Sequence, residues 1–439
     1  MTRYSPFSTI RSPNEKNLSS QVGRGKPLST SRRNLLRIFV PFAIGYFFSY
    51  LYRVVNAVIA PNLVADLNLG PADLGLLTST YFLTFAAFQL PLGVLLDRFG
   101  SRRTEACLLI FAALGAFVFA RAESASGLVA GRALIGFGVS SCLMAPFTAY
   151  AIWFAKERLP LVNGLQVAVG GLGALTGTAP VEAALQITDW RGVFTVLAVL
   201  TLAVAAAIFF VVPDRKPEGG SANLRDQLGG IARVYSSFVF WRIAPWAVMT
   251  QSTFLAVQTL WAGPWLRDVA GLDRTGVANG LLLIAAAMIA GFALIGAVAE
   301  RLSRLGIKPL HVAVIGMSLF MVVEALIILE WTVLVKPLWI LFGFFGTTGI
   351  ITYAILSQSF PGNLAGRVNT GLNVMLFVSA FGMQWGIGEV INLWPISPDG
   401  NYAPVGYKAG FGLMLSLQVL SVLWFIIANL IMGRRENKP

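Results

Sequence analysis

The chain has 439 residues, 56% of them hydrophobic and only 12% charged, with a mean hydropathy of +0.71. A soluble domain carries about 25% charge, so composition points away from a water-soluble enzyme, and the formal charge of +13 must be read by where it falls. Cys107 and Cys142 lie in apolar runs and His311 is the single histidine, which leaves neither a disulfide framework, nor a His-based metal site, nor a Ser-His-Asp arrangement. No cofactor is expected, and no phosphate-cradling loop of the ATPase kind is present.

Residues 1–34 are rich in Ser, Arg, Asn, Gly and Pro without apolar periodicity, which predicts a disordered tail. No short apolar region with a small-residue cleavage site precedes the first span, so no cleaved secretory signal is expected. From there, bilayer-length apolar runs recur along the chain. They predict an all-α polytopic membrane protein with twelve transmembrane helices at roughly 35–60, 72–96, 104–121, 125–154, 160–186, 190–212, 243–267, 275–299, 308–330, 334–359, 368–393 and 405–432. The polar stretch 213–242, with Pro213, Pro217, Gly219 and Gly220, reads as a linker between an N-terminal half at 35–212 and a C-terminal half at 243–432, followed by a short tail at 433–439. Lysines and arginines concentrate in both tails, the linker and the loops on the same side, which predicts that both termini are cytoplasmic. That asymmetry accounts for the basic balance without nucleic acid.

In span 1, Tyr46, Ser49, Arg53 and Asn56 recur at intervals of three and four, which places them on one helical face. A polar stripe with an arginine belongs against a water-filled cavity or another helix, not lipid. The guanidinium offers a two-pronged donor for a carboxylate, phosphate or similar oxyanion. The structural alternative is an ion pair from Arg53 to Glu182 or Glu389 that locks helices together. Between spans 2 and 3 lies Gly93-Val-Leu-Leu-Asp97-Arg98-Phe99-Gly100-Ser101-Arg102-Arg103, a tight charged turn that must sit at the membrane surface. Asp97 can pair with the neighbouring arginines or cap a helix there.

The spacing G-x-x-x-D-R-x-G-x-R-R resembles the signature loop between helices 2 and 3 of the major facilitator superfamily at every defining position. The resemblance implies twelve helices in two pseudo-symmetric six-helix bundles, helices 1, 4, 7 and 10 around a central cavity, a monomer, and a gating role for Asp97, Arg98, Arg102 and Arg103. The string Tyr52 to Pro61 resembles helix 1 of the family's organic-anion branches: the anion:cation symporters, sugar-phosphate permeases and nitrate/nitrite porters. In the anion symporters the arginine matching Arg53 binds the substrate's acidic group. Two acids tied to ion coupling in those relatives are replaced here by Tyr52 and Val139.

Span 4 carries Gly131-Arg132-x-x-x-Gly136-x-Gly138, which resembles the family's helix 4 motif, where the arginine is linked to proton coupling. The alternative is that Arg132 simply lies near the far membrane surface. Internal repetition supports two related halves. Gly93-x-x-x-Asp97-Arg98 returns in degenerate form as Gly296-x-x-x-Glu300-Arg301, 203 residues later, and Val162-Asn-Gly-Leu-Gln166 returns as Val368-Asn-Thr-Gly-Leu-Asn373 with one insertion. By that repeat span 7 pairs with span 1, which makes Gln251 and Gln258 candidate contacts. Span 10 offers Thr352 and Tyr353. Glu182 and Glu389 occupy nearly matching positions in spans 5 and 11 and are candidates to carry a coupling proton.

The expected function is secondary import of a small organic anion (carboxylate, sulfonate or phosphate ester) by proton symport with alternating access, in a cell inner membrane. Two alternatives stand beside it. One is proton-coupled efflux of hydrophobic or cationic compounds, which calls for an acidic cavity and is kept open by the glycine-rich run Gly170 to Pro180. The other is a non-transporting ligand sensor.

Overall fold

A computed structural model describes residues 35–155, 158–214, 224–361, 364–397 and 400–436. The expected tail at 1–34, the stretch 215–223 of the expected linker and the last three residues lie outside the described residues. Span 1 opens with a π-helical turn, Leu35–Phe39, continues as α1 (Val40–Val54) and, after a break at Val55, as α2 (Asn56–Leu67). Helix α3 (Pro71–Ala120) is 50 residues long. At about 1.5 Å per residue that is more than twice the thickness of a hydrocarbon core, so it holds two crossings. They meet at Gly100, whose φ of 77° and ψ of 166° lie where a side chain is strongly disfavoured. This is the structural reason for a glycine within the charged turn.

Spans 4 and 5 are each split, into α4 (Ala125–Gly138) with α5 (Met144–Trp153), and α6 (Leu159–Thr176) with α7 (Ala179–Ala184). Helix α8 (Trp190–Val211) is continuous. Part of the expected linker is itself helical: α9 (Leu224–Tyr235) precedes α10 (Phe238–Ala256), so span 7 starts five residues earlier than expected. A π-helical turn, Val257–Trp261, then leads into α11 (Ala262–Asp268). The remaining helices are α12 (Arg274–Arg304), α13 (Pro309–Ile328), α14 (Val335–Phe345), α15 (Ile351–Gln358), α16 (Ala365–Ile391) and α17 (Pro404–Glu436). Eight stretches among the described residues are long and apolar enough to cross a bilayer. Adding the second crossing of α3 and the broken spans 4, 5 and 7 gives the twelve expected.

The face that carries the Gly100 turn and α9 is called the linker side here, and its opposite the far side. On the linker side Arg102 and Arg103 both reach Asp214, at 2.9 and 2.8 Å, so these arginines tie the turn to the end of α8. On the far side the two halves press together. Pro61 has no N–H, which leaves the Ala57 carbonyl without its usual helical donor. Gly263 packs against that carbonyl so closely that a Cβ would stand 2.5 Å from the oxygen. Nearby, Arg274 of α12 crosses to Glu182 of α7 at 3.0 Å and to Asn62 of α2 at 3.0 Å. Within the N-terminal half, Gly173 of the glycine-rich run lies against the Phe47 carbonyl of α1. The run's glycines thus serve helix packing.

Candidate functional site

Spans 4 and 10 break at matching places. The chain leaves regular helix at Val139–Leu143 and again at Gly346–Ile350. Freed backbone groups inside a membrane need a partner, and in each half an amide supplies one. Gln89 donates to the Ser140 carbonyl at 3.2 Å. With its amide turned to the orientation that satisfies both groups, Gln251 donates to the Gly346 carbonyl at 3.1 Å and accepts from the Ile350 N–H at 3.0 Å. Irregular backbone at this depth is tolerated where it lines a cavity, and a cavity of about 320 Å³ lies between the two breaks.

Arg53 stands in its wall. The side chain is 6% exposed, and its guanidinium carbon lies 4.4 Å from the Tyr50 ring centroid, 5.5 Å from Phe377, 5.6 Å from Phe85 and 5.8 Å from Tyr81. Aromatic faces stabilise a cation without neutralising it. Among the described residues no carboxylate lies within ion-pair distance of Arg53. The structural alternative fails on both partners: Glu182 pairs with Arg274, and Glu389 is exposed and accepts from the Trp385 indole N–H at 2.9 Å. Arg53 Nε is buried without a hydrogen-bond partner. The guanidinium is therefore held in place by rings while retaining donor capacity for something that enters the cavity.

The structure brings Tyr46, Ser49, Arg53, Gln251 and Tyr353 to this cavity. It places the other three expected contacts elsewhere. Asn56 is fully buried and its amide donates to Thr78 of α3 at 3.0 Å, so it is spent on packing within the N-terminal half. Gln258 falls in the π-helical turn, which shifts its register, and donates to the Met288 sulfur at 3.5 Å. Thr352 bonds back to the Gly349 carbonyl at the span 10 break. Residues that sequence reasoning missed include Tyr50, Gln89, Ser140, Asn369 and Asn373. The four-residue spacing of Asn369, Asn373 and Phe377 was a readable signal for one face of α16.

Arg132 lies outside the cavity. It is 1% exposed rather than near a surface, and donates to the Tyr52 carbonyl at 2.7 Å, with its guanidinium 5.2 Å from the Tyr81 ring. Tyr52 in turn shares a 2.8 Å hydrogen bond with Thr201. Arg132 thus ties span 4 to the middle of span 1 behind Arg53. Arg132→Met should lower thermal stability in detergent by roughly 1.5–3 kcal/mol, the usual worth of a charge-assisted hydrogen bond. Thermal unfolding of the purified variant reads this, and an unchanged midpoint would remove the structural role.

Of the remaining expected coupling or gating residues, Arg98 lies at the linker-side turn, 5.3 Å from the Phe99 ring, and Asp97 is its neighbour there. Glu105, beneath the same turn on α3, is fully buried. Neither of its carboxylate oxygens has an N–H or O–H donor among the described residues, and Gly45 faces it at close range. A second cavity of about 380 Å³ lies on the far side, lined by Glu182, Arg274, Arg267 and Asp273 among others.

A family model described as Major Facilitator Superfamily matches residues 42–383. The nitrite extrusion protein of Bacillus subtilis (strain 168) is 24% identical over 51% of this chain, and the match spans 55% of that protein, little more than half its length. The probable sulfoacetate transporter of Cupriavidus necator is 22% identical over 76% of this chain and 83% of its own. A bacterial homologue of the human lysosomal transporter Spinster, solved in an inward-facing and occupied conformation, matches with a TM-score of 0.72 over 91% of this chain and 97% of that one. At 15% identity that is a likeness of fold.

Proposed function

The chain belongs to the Major Facilitator Superfamily, and from that premise we propose that it imports a small organic anion by proton symport, binding it at Arg53 between the two halves. It is a multi-pass membrane transporter and not an enzyme. One observation carries the anion reading: Arg53 is the single ionised side chain among the described residues that line the central cavity. A positively charged cavity attracts anions and repels cations. Efflux of cationic compounds calls for the opposite sign.

In this reading the linker side is cytoplasmic, in a cell inner membrane, and the halves rock about the cavity to alternate access. The far-side contacts of Gly263 with Ala57, and of Arg274 with Glu182 and Asn62, close one entrance. Glu182 acts there as part of the gate. The residues proposed to touch substrate are Arg53, Ser49, Tyr46, Gln251 and Tyr353. The cavity itself holds no carboxylate among its described lining, so the coupling proton travels through a buried acid elsewhere or with the substrate. The names of the two relatives, which refer to nitrite and sulfoacetate, support a small anion without fixing which.

Uptake into proteoliposomes tests this with a panel of labelled carboxylates, sulfonates and sugar phosphates, with and without an inward proton gradient. Accumulation of one anion, stimulated by the gradient, is expected. Extrusion of cationic dyes without uptake of any anion would replace this reading with efflux, and binding without flux would replace it with a sensor.

A further inference from the structure

The two halves carry the same polar pair in different settings. In the N-terminal half Tyr150 donates to Gln166 Oε1 at 2.8 Å, and in the C-terminal half Tyr353 donates to Asn373 Oδ1 at 2.5 Å. The tyrosines are 203 residues apart and the amides 207, close to the internal repeat. Gln166 is fully buried and its amide nitrogen is spent on the Phe42 and Cys142 carbonyls, at 3.2 and 3.4 Å. Asn373 instead lines the cavity, and among the described residues only the oxygen of its shorter side chain is occupied. One turn away Asn369, also in the cavity wall, accepts from Ser357 at 2.7 Å and likewise keeps its amide nitrogen free of any hydrogen bond to the described residues.

Asn369, Asn373 and Phe377 succeed one another at four-residue intervals, so they lie along one face of α16. Phe377 touches the Arg53 guanidinium. The two amides therefore stand about 6 and 12 Å along the helix from that contact, at about 1.5 Å per residue. Both present N–H donors, and neither carries charge.

We propose that the cavity selects anions with one formal charge and an uncharged oxygen acceptor at the other end, the anionic group on Arg53 and the acceptor on Asn373. This deepens the anion reading of Arg53 and rests on it. A second carboxylate or phosphate charge at the far end of the ligand would meet only neutral donors in a poorly solvated wall, which leaves it uncompensated. A ligand with an apolar tail would strand the Asn373 donor when it displaced water, which also costs affinity.

The test is equilibrium binding of four matched salts to the purified full-length protein: butanoate, 4-hydroxybutanoate, succinamate and succinate. The hydroxy acid and succinamate should bind about tenfold more tightly than butanoate and succinate, the factor that one well-placed hydrogen bond supplies. Asn373→Ala should erase that advantage, so that butanoate and 4-hydroxybutanoate bind alike. Asn373→Lys should turn the preference toward succinate, a gain that misfolding would not produce. Equal affinity for succinate and succinamate, or for butanoate and 4-hydroxybutanoate, overturns the proposal but leaves Arg53 as anion site if Arg53→Ala loses all four. Binding of the four salts that Arg53→Ala does not change overturns both, and no binding of any of them overturns this proposal while the uptake panel decides the anion reading.

Discussion

Arg53→Ala should abolish anion uptake in a protein that still inserts and folds. The guanidinium lies in a cavity wall at 6% exposure, among four aromatic rings and without a carboxylate partner among the described residues. A charge held this way stabilises an incoming anion more strongly than water does, because the site is already oriented and poorly solvated. Removing one member of a buried charge pair costs about 2–5 kcal/mol of binding, roughly 30-fold or more in affinity. The fold loses little by the same change. An uncompensated cation in a membrane protein is a cost, so the thermal midpoint of ligand-free Arg53→Ala should match or exceed that of the parent. Arg53→Lys should rescue poorly, since it keeps the charge but loses the planar fork that grips two oxygens and the flat face that lies against the rings. Proteoliposome uptake and thermal unfolding of the same preparations read both effects. Normal uptake by Arg53→Ala would end the assigned role, and a collapsed midpoint would make it structural.

The fold was legible because a bilayer imposes a single strong signal: about twenty apolar residues per crossing. The charged turn at Gly93 to Arg103 was legible for a related reason, since its spacing encodes a sharp bend at Gly100 and a row of arginines at a surface. The partner of those arginines was not legible. Asp214 lies more than a hundred residues on, and nothing local marks it. The cavity was read in part. Regular spacing on span 1 put Tyr46, Ser49 and Arg53 on one face, and that face lines the cavity because α1 is regular there. Asn56 and Gln258 do not line it: Asn56 is taken up by Thr78 on a neighbouring helix, and Gln258 lies in a π-helical turn that shifts the register of span 7. Breaks in a span have no reliable sequence mark when, as at Val139–Leu143 and Gly346–Ile350, distant amides on other helices satisfy the freed backbone. Gln89 and Gln251 do this, and only packing reveals it.

Gly263→Val should arrest transport without unfolding the protein, whereas Gly173→Val should prevent folding. Both glycines sit against a carbonyl that a Cβ would strike, but the carbonyls differ in what they belong to. Gly173 faces Phe47 within the N-terminal half, and helices of one half stay packed throughout a rocking cycle. Its clash would be present in every state. Gly263 faces Ala57 of the other half, at a carbonyl that Pro61 leaves without its helical donor. If the halves rock, that contact exists only while the far side is closed. Overpacking costs about 1–3 kcal/mol, which here would fall on one state and shift the equilibrium about 5- to 150-fold toward opening the far side. A cysteine placed at Val58, beside the far-side cavity, in a background lacking Cys107 and Cys142, reports the shift. Its labelling by an impermeant maleimide should speed up in Gly263→Val, the purified variant should keep a cooperative thermal transition, and uptake should fall. Unchanged labelling alongside lost uptake would mean that the Gly263 contact is no gate. Loss of the folded protein would place it with Gly173, as packing that both states share.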